Sequence, residues 1–171
     1  MSAGVEVIVI SGSMGSGKTT VMAEASDILS AGGVVHAAVD LDALGVAHLP
    51  DGPFGDLKYR NLRSVWENCA AAGVSRLLLA EAVESRAELD RIREAIPGCA
   101  IVVCRLRADS GTMQRRVRVR EPGMLQEQFV ARVMDLETLL DAARLEDFSL
   151  VNDEGSVTEV ARELLVRAGW L

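Results

Sequence analysis

Short apolar runs alternate along the chain with longer stretches in which apolar residues return every three or four positions. The first run, Val5 and then Val7 to Ile10, reads as a buried strand of a parallel sheet. A helix-compatible stretch from Thr20 to Ala31 follows and stops at Gly32-Gly33. Val34 to Val39 forms a second run that ends in Asp40-Leu41-Asp42. Ala43 to Lys58 has no period and holds Pro50, Asp51-Gly52-Pro53 and Gly55, the chemistry of a long loop. Tyr59 to Ala72 predicts a helix with Leu62, Val65, Trp66 and Cys69 on one face, stopped by Gly73. Val74 to Ala80 is a third strand, and Ser85 to Ile96 is a helix with Leu89, Ile92 and Ile96 inward. Ala100 to Leu106 is a fourth strand. Asp109 to Glu121 is a strongly basic helix that Pro122-Gly123 breaks, and Leu125 to Ala143 is another helix. Phe148 to Val151 is a fifth strand. Ser156 to Ala168 closes the chain as a helix, with Ser156 and Glu159 spaced as a capping box.

Strands that alternate with helices predict right-handed crossovers and a parallel sheet covered on both faces. Ligands of such sheets bind beyond the carboxyl ends of the strands, so the residues just after each apolar run carry the interest. Directly after the first run stands Gly12-Ser13-Met14-Gly15-Ser16-Gly17-Lys18-Thr19, which fits G-x-x-x-x-G-K-[ST] between a strand and a helix. Glycines there let successive amides turn inward around an anion, and the new helix adds its positive end. Lys18 is placed to reach the β- and γ-phosphates of a nucleotide, and the Thr19 hydroxyl to bind Mg2+, with Thr20 next to them. A glycine-rich turn that happens to carry Lys-Thr is the plainer alternative. Against it, the chain has only two lysines, Lys18 and Lys58, and one stands where the motif demands it.

Composition narrows the picture. The 171 residues, 49% apolar and 25% charged, suit one compact domain over residues 1–171. A net charge of −7 opposes a general nucleic-acid binder. No run approaches the roughly 20 apolar residues of a membrane span, and the start of the chain lacks a basic leader, so a cytoplasmic protein is expected. Cys69, Cys99 and Cys104 are odd in number and lack metal-ligand spacing, which reads as free thiols in a reducing compartment.

The phosphate loop, Asp40-x-Asp42 after the second strand, Arg60-Asn61-Leu62-Arg63, and Leu106-x-Ala108 followed by Met113, Arg116 and Arg120-Glu121 together resemble the small P-loop kinases. Phe148 to Asp153 with Val157-x-Glu159-Val160 is similar to the last strand and closing helix of the same group. These families include adenylylsulfate, gluconate and shikimate kinases, chloramphenicol phosphotransferase and nucleoside monophosphate kinases. The resemblance implies a three-layer P-loop NTPase fold: a five-stranded parallel sheet, helices on both faces, and a short arginine-bearing lid at about residues 108–124. It implies ATP and Mg2+ as cofactors, and an ATP-dependent phosphotransferase acting on a small molecule, most naturally at a hydroxyl. The sequence departs from the group at two points: the aspartate-glycine-aspartate and lid motifs of adenylylsulfate kinases are missing, and the third strand ends in Ala80-Glu81, with Glu84 nearby, instead of in an aspartate. No Asn-Lys-x-Asp occurs, which counts against a GTPase guanine site.

Phosphoryl transfer needs positioning, a metal and positive charge more than covalent chemistry. Asp42 is the expected general base for an acceptor hydroxyl and Asp40 a carboxylate that faces the water held by the metal, with Glu81 and Glu84 as other carboxylates of that edge; a solvated strand end is the plainer reading of the two aspartates. Arg116 and Arg120, four apart on one helical face, suit a clamp on the nucleotide phosphates, although charge runs also serve as plain solvated faces. Arg60, Asn61 and Arg63 suit either a polar or anionic acceptor or a helix surface. His48, Phe54, Lys58 and Tyr59, in or beside the long loop, suit a cap over the acceptor. Two other functions remain open at this level: a nucleoside monophosphate kinase-like enzyme, and a regulatory domain that binds ATP without transferring its phosphate. Oligomeric state is unreadable.

Overall fold

A computed structural model of the chain describes residues 4–47 and 54–171. Five strands, β1 (Glu6–Ser11), β2 (Ala37–Asp40), β3 (Arg76–Ala80), β4 (Ala100–Arg107) and β5 (Phe148–Val151), form one parallel sheet in the order β2-β3-β1-β4-β5. The helices are α1 (Lys18–Ala31), α2 (Phe54–Ala71), α3 (Arg86–Ala95), α4 (Ser110–Arg120), α5 (Gln126–Ala143) and α6 (Val157–Arg167), with a short 3-10 turn at Asp42–Gly45.

The strands read as continuous apolar runs because both faces are buried, and the pleat deals alternate residues to opposite layers. Ile8 and Ile10 of β1 join Leu78, Cys104 and Leu150 beneath α1 and α6. Val7 and Val9 join Val39, Leu77, Leu79 and Val103 beneath α2 and α3. A third, smaller cluster, Met113, Val117, Val130 and Val133, seals α4 against α5. β1 is flanked by β3 and β4, while the chain leaves it for β2 on the sheet's edge. The crevice where these connections part lies above the end of β1, where the glycine loop stands. β4 is tied to α5 by Arg105, 1% exposed, whose guanidinium pairs with Glu137 and Asp141.

The expected five strands and six helices are all present. Two details differ. Phe54 to Lys58 is not loop but the first turn and a half of α2, and Asp42–Gly45 is a 3-10 turn. Glycine and proline punctuate helix entrances as well as loops, so turn chemistry alone does not separate the two. His48, Pro50 and Asp51-Gly52-Pro53 lie outside the described residues. The capping box of α6 does not form. Ser156 occupies the cap position without a side-chain bond, and the Glu159 amide bonds the Ser156 carbonyl instead. The three thiols are free; Cys104 is buried, and Cys69 and Cys99 are half-buried. No helix among the described residues is long and apolar enough to cross a membrane.

Candidate functional site

Between β1 and α1 the chain turns through Gly12, Gly15 and Gly17 at φ of 147°, 78° and 95°. Gly17 caps α1 in the left-handed region, where a side chain would also run into the Asn152 amide. A Cβ on Gly15 would strike the Met113 carbonyl on α4. The loop is therefore fitted closely against three other elements. Ser13 Oγ donates to the Val133 carbonyl of α5 at 2.8 Å, and Asn152 Nδ2 donates to the Ser16 carbonyl at 2.8 Å. Met14 packs on the α4–α5 cluster. Ser16 Oγ is buried without a partner among the described residues. Lys18 is the first residue of α1, and its Nζ donates to the carbonyls of Gly12 (2.9 Å) and Ser13 (3.1 Å), which folds the ammonium across the loop. Burial lowers the Lys18 pKa and the charge of Arg120 adds to this, while Asp42, Glu81 and Asp40 oppose it.

The carboxylates stand at the ends of the two neighbouring strands. Asp40 ends β2, accepts from the Thr19 hydroxyl at 2.8 Å through Oδ2 and from the Asp42 amide at 3.1 Å through Oδ1. Asp42 opens the 3-10 turn and is exposed. Thr20 follows Thr19 on the exposed side of the first turn of α1. Glu81, directly after β3, is 3% exposed and accepts from Lys58 Nζ of α2 at 2.7 Å. Burial, and then the field of Asp42, push the Glu81 carboxyl up to about 7 against the pull of Lys58. Burial alone would lower Lys58; the charge and hydrogen bond of Glu81 outweigh it and raise its pKa. Glu84 receives Arg132 of α5 at 3.0 and 3.2 Å.

Of the two arginines expected to clamp phosphates, Arg116 reaches the loop itself. It donates to the carbonyls of Gly15 (3.2 Å), Asn152 (2.9 Å) and Asp153 (2.6 Å). Arg120, one turn on, pairs with its neighbour Glu121 at 3.0 Å, and its charge is felt at Lys18. Arg60, Asn61 and Arg63 are placed differently. They line a cavity of about 520 Å³ between α2 and α3 whose walls include no residue of the glycine loop. Arg63 donates to the Glu94 carbonyl there, and Asn61 ties α2 to the Leu44 carbonyl of the 3-10 turn.

Three residues of the cluster carry weight that the sequence signals weakly or not at all. Lys58 has a signal, as one of two lysines, but belongs to the first turns of α2 and not to a loop. Asn152 directly follows the last apolar run, the place where such sheets present side chains. Arg132 has none, since its partner Glu84 is 48 residues away. For Mg2+, the donor set is a hydroxyl and a carboxylate 2.8 Å apart at a helix N-terminus. Two hard oxygens suit an ion that keeps several waters and fills its remaining positions with phosphate oxygens. Among the described residues no group of three or more His, Cys, Asp or Glu side chains could hold a metal without such help.

No protein-family model matches the chain, and no curated protein matches it in sequence. Solved structures do match over nearly the whole length. A gluconokinase from Sinorhizobium meliloti is 22% identical over 96% of this chain and 91% of its own, with a TM-score of 0.56. Shikimate kinase from Acinetobacter baumannii, solved with shikimate, is 17% identical over 99% and 97%, with a TM-score of 0.62. The APS kinase of Mycobacterium tuberculosis, solved with AMPPNP and APS, is 18% identical over 95% and 96%, with a TM-score of 0.60. At such identities the likeness is one of architecture: the chain has the fold of the small P-loop kinases.

Proposed function

We propose that this protein is a phosphotransferase that moves the γ-phosphate of ATP to a hydroxyl of a small acceptor. The observation that carries this is the placement of the glycine loop, Lys18 and the Thr19–Asp40 pair on one rim with an exposed aspartate, Asp42. The inward amides of Gly12 to Thr19 bind the phosphates, and Lys18 shifts from the Gly12 and Ser13 carbonyls to the transferred group. Thr19 and Asp40 would hold Mg2+, which would supply charge neutralisation at the phosphates. Arg120 swings from Glu121 to the developing charge, and Arg116 keeps α4 against the loop.

Asp42 suits the base because its carboxylate is exposed just beyond the end of β2 and its charge acts on Lys18. Glu81 and Glu84 are already engaged by Lys58 and Arg132. Arg60 and Arg63, which a phosphate-bearing acceptor would call for, line the separate α2–α3 cavity, which favours an acceptor without phosphate over a nucleoside monophosphate. The test is calorimetry of Mg2+ and ATP on the wild type and Lys18→Ala, followed by ATP consumption over a panel of hydroxyl compounds with wild type and Asp42→Asn. Binding is expected to vanish in Lys18→Ala and turnover in Asp42→Asn. Equal binding by Lys18→Ala refutes the assignment.

A further inference from the structure

Asp42, the aspartate assigned as base, opens the short 3-10 turn Asp42–Gly45. A single turn of this kind has few hydrogen bonds of its own and poor geometry in those it has. The Leu44 amide donates to the Leu41 carbonyl at 3.2 Å, and the Asp42 amide to Asp40 Oδ1 at 3.1 Å. The Asp42 side chain is exposed, so its place is set by what holds the turn and not by packing around the carboxylate.

The turn is held from two sides. Toward the sheet, Leu41 is fully buried and its amide donates to the Ala80 carbonyl at 3.0 Å. Toward α2, Asn61 Nδ2 donates to the Leu44 carbonyl at 2.6 Å. Asn61 also lines the α2–α3 cavity, but facing a carbonyl it can present only its amide N–H. Gly45 lies on the stem of Lys58, whose Cβ stands 3.1 Å from where a Gly45 Cβ would be. The far end of the same side chain donates to Glu81 Oε1 at 2.7 Å. Glu81 is 3% exposed, follows β3 directly, and its amide bonds the Ile10 carbonyl of β1 at 3.2 Å. Contacts therefore run from the Asp42 turn through Lys58 and Glu81 to the strand that leads into the glycine loop. Lysine otherwise keeps much rotamer freedom; here both its stem and its ammonium are fixed.

Resting on the phosphotransferase reading with Asp42 as base, we propose that Asn61 and Lys58 are positioning residues. Asn61 fastens the Asp42 turn to α2, and Lys58, anchored on Glu81, sets the turn's place relative to the glycine loop. In the transfer, the bond from the γ-phosphorus to the bridging oxygen breaks and ADP leaves with the electron pair. A phosphorus–oxygen bond to the acceptor forms, and the hydroxyl proton passes to Asp42. A base displaced by about 1 Å loses up to roughly 100-fold in rate, so the two ties are worth far more to turnover than to nucleotide binding.

The experiment measures Mg2+–ATP binding by calorimetry, and ADP release over the panel of hydroxyl compounds with water included as an acceptor. The proteins are the wild type, Asn61→Ala, Lys58→Met, Lys58→Arg and Ser64→Ala. Ser64 is the control on the same helix, since its hydroxyl donates to the Arg60 carbonyl of α2 itself. Asn61→Ala and Lys58→Met are expected to lower kcat by about tenfold or more, with KM and Kd for ATP within about twofold of wild type. Lys58→Arg, which keeps a cationic donor for Glu81, is expected to recover most of kcat, and Ser64→Ala to retain it. Asn61→Ala decides the matter even where Lys58→Met does not fold. An unchanged kcat in Asn61→Ala overturns the proposal and leaves the phosphotransferase intact. So does a loss of ATP binding in step with kcat, the mark of a general loosening of the fold. A wild type that binds ATP but turns over no acceptor overturns the proposal together with the role of Asp42. Absence of any ATP binding removes the phosphotransferase reading itself.

Discussion

At the scale of single residues, Gly17 and Glu81 are under the tightest physical constraint. Gly17 combines a left-handed φ with contact against Asn152, so Gly17→Ala meets both backbone strain and a clash. The expected result is a loss of about 1–3 kcal/mol in stability by urea unfolding and loss of the ATP heat in calorimetry. Glu81 gives a prediction in pH. Its pKa is near 4.5 when unfolded and is pushed up to about 7 in the fold, so the folded state favours its protonated form. The contribution of Glu81 to stability is therefore complete below about 4.5 and is lost as pH rises through about 7. It amounts to something on the order of 3 kcal/mol at most. Between pH 5 and pH 8 the wild-type urea midpoint should fall relative to that of Glu81→Gln; parallel pH profiles would show that another group titrates.

At the scale of elements, the informative contacts are those that hold α4 and α5 to the glycine loop. Arg116 spans the Gly15, Asn152 and Asp153 carbonyls, so one side chain joins α4, the loop and the turn after β5. Arg116→Ala should weaken ATP binding by roughly tenfold, read by calorimetry, as those carbonyls lose a charged donor. The helices themselves were legible because their apolar residues recur with helical period, as with Leu89, Ile92 and Ile96 of α3. The start of α2 was not, since glycine and proline punctuate helix entrances as well as loops. The α6 cap failed for a related reason: spacing permits a Ser156–Glu159 box, but the Glu159 amide bonds the Ser156 carbonyl instead of its hydroxyl.

At the scale of the whole molecule, β4 and α5 depend on the buried Arg105. Removing it leaves Glu137 without its cation, while Asp141 keeps Arg107 at 2.8 Å. Arg105→Ala should cost about 3–5 kcal/mol by urea unfolding, whereas a well-packed Arg105→Met should cost less. Binding at the loop is coupled to the entire fold, because loop, sheet and three helices meet there. Mg2+ with ATP at about 100 times its Kd should stabilise the wild type by about 2.7 kcal/mol. Thermal unfolding should show this as a rise in Tm that Lys18→Ala lacks.

The sequence by itself determined the alternation of strands and helices and the place of the phosphate loop. Both rest on local periods and on residue types that few other backbones accommodate. It also determined which residues stand at the strand ends, since apolar runs stop where burial stops. Only the tertiary structure decided which of those residues meet. Lys58 finds Glu81, Arg132 finds Glu84 and Arg116 finds Gly15 across 23, 48 and 101 residues of chain. Arg60 and Arg63, on the same helix as Trp66 and Cys69, are turned into the α2–α3 cavity. Such pairings follow from how helices pack on a twisted sheet, a long-range outcome for which no stretch of sequence carries a period.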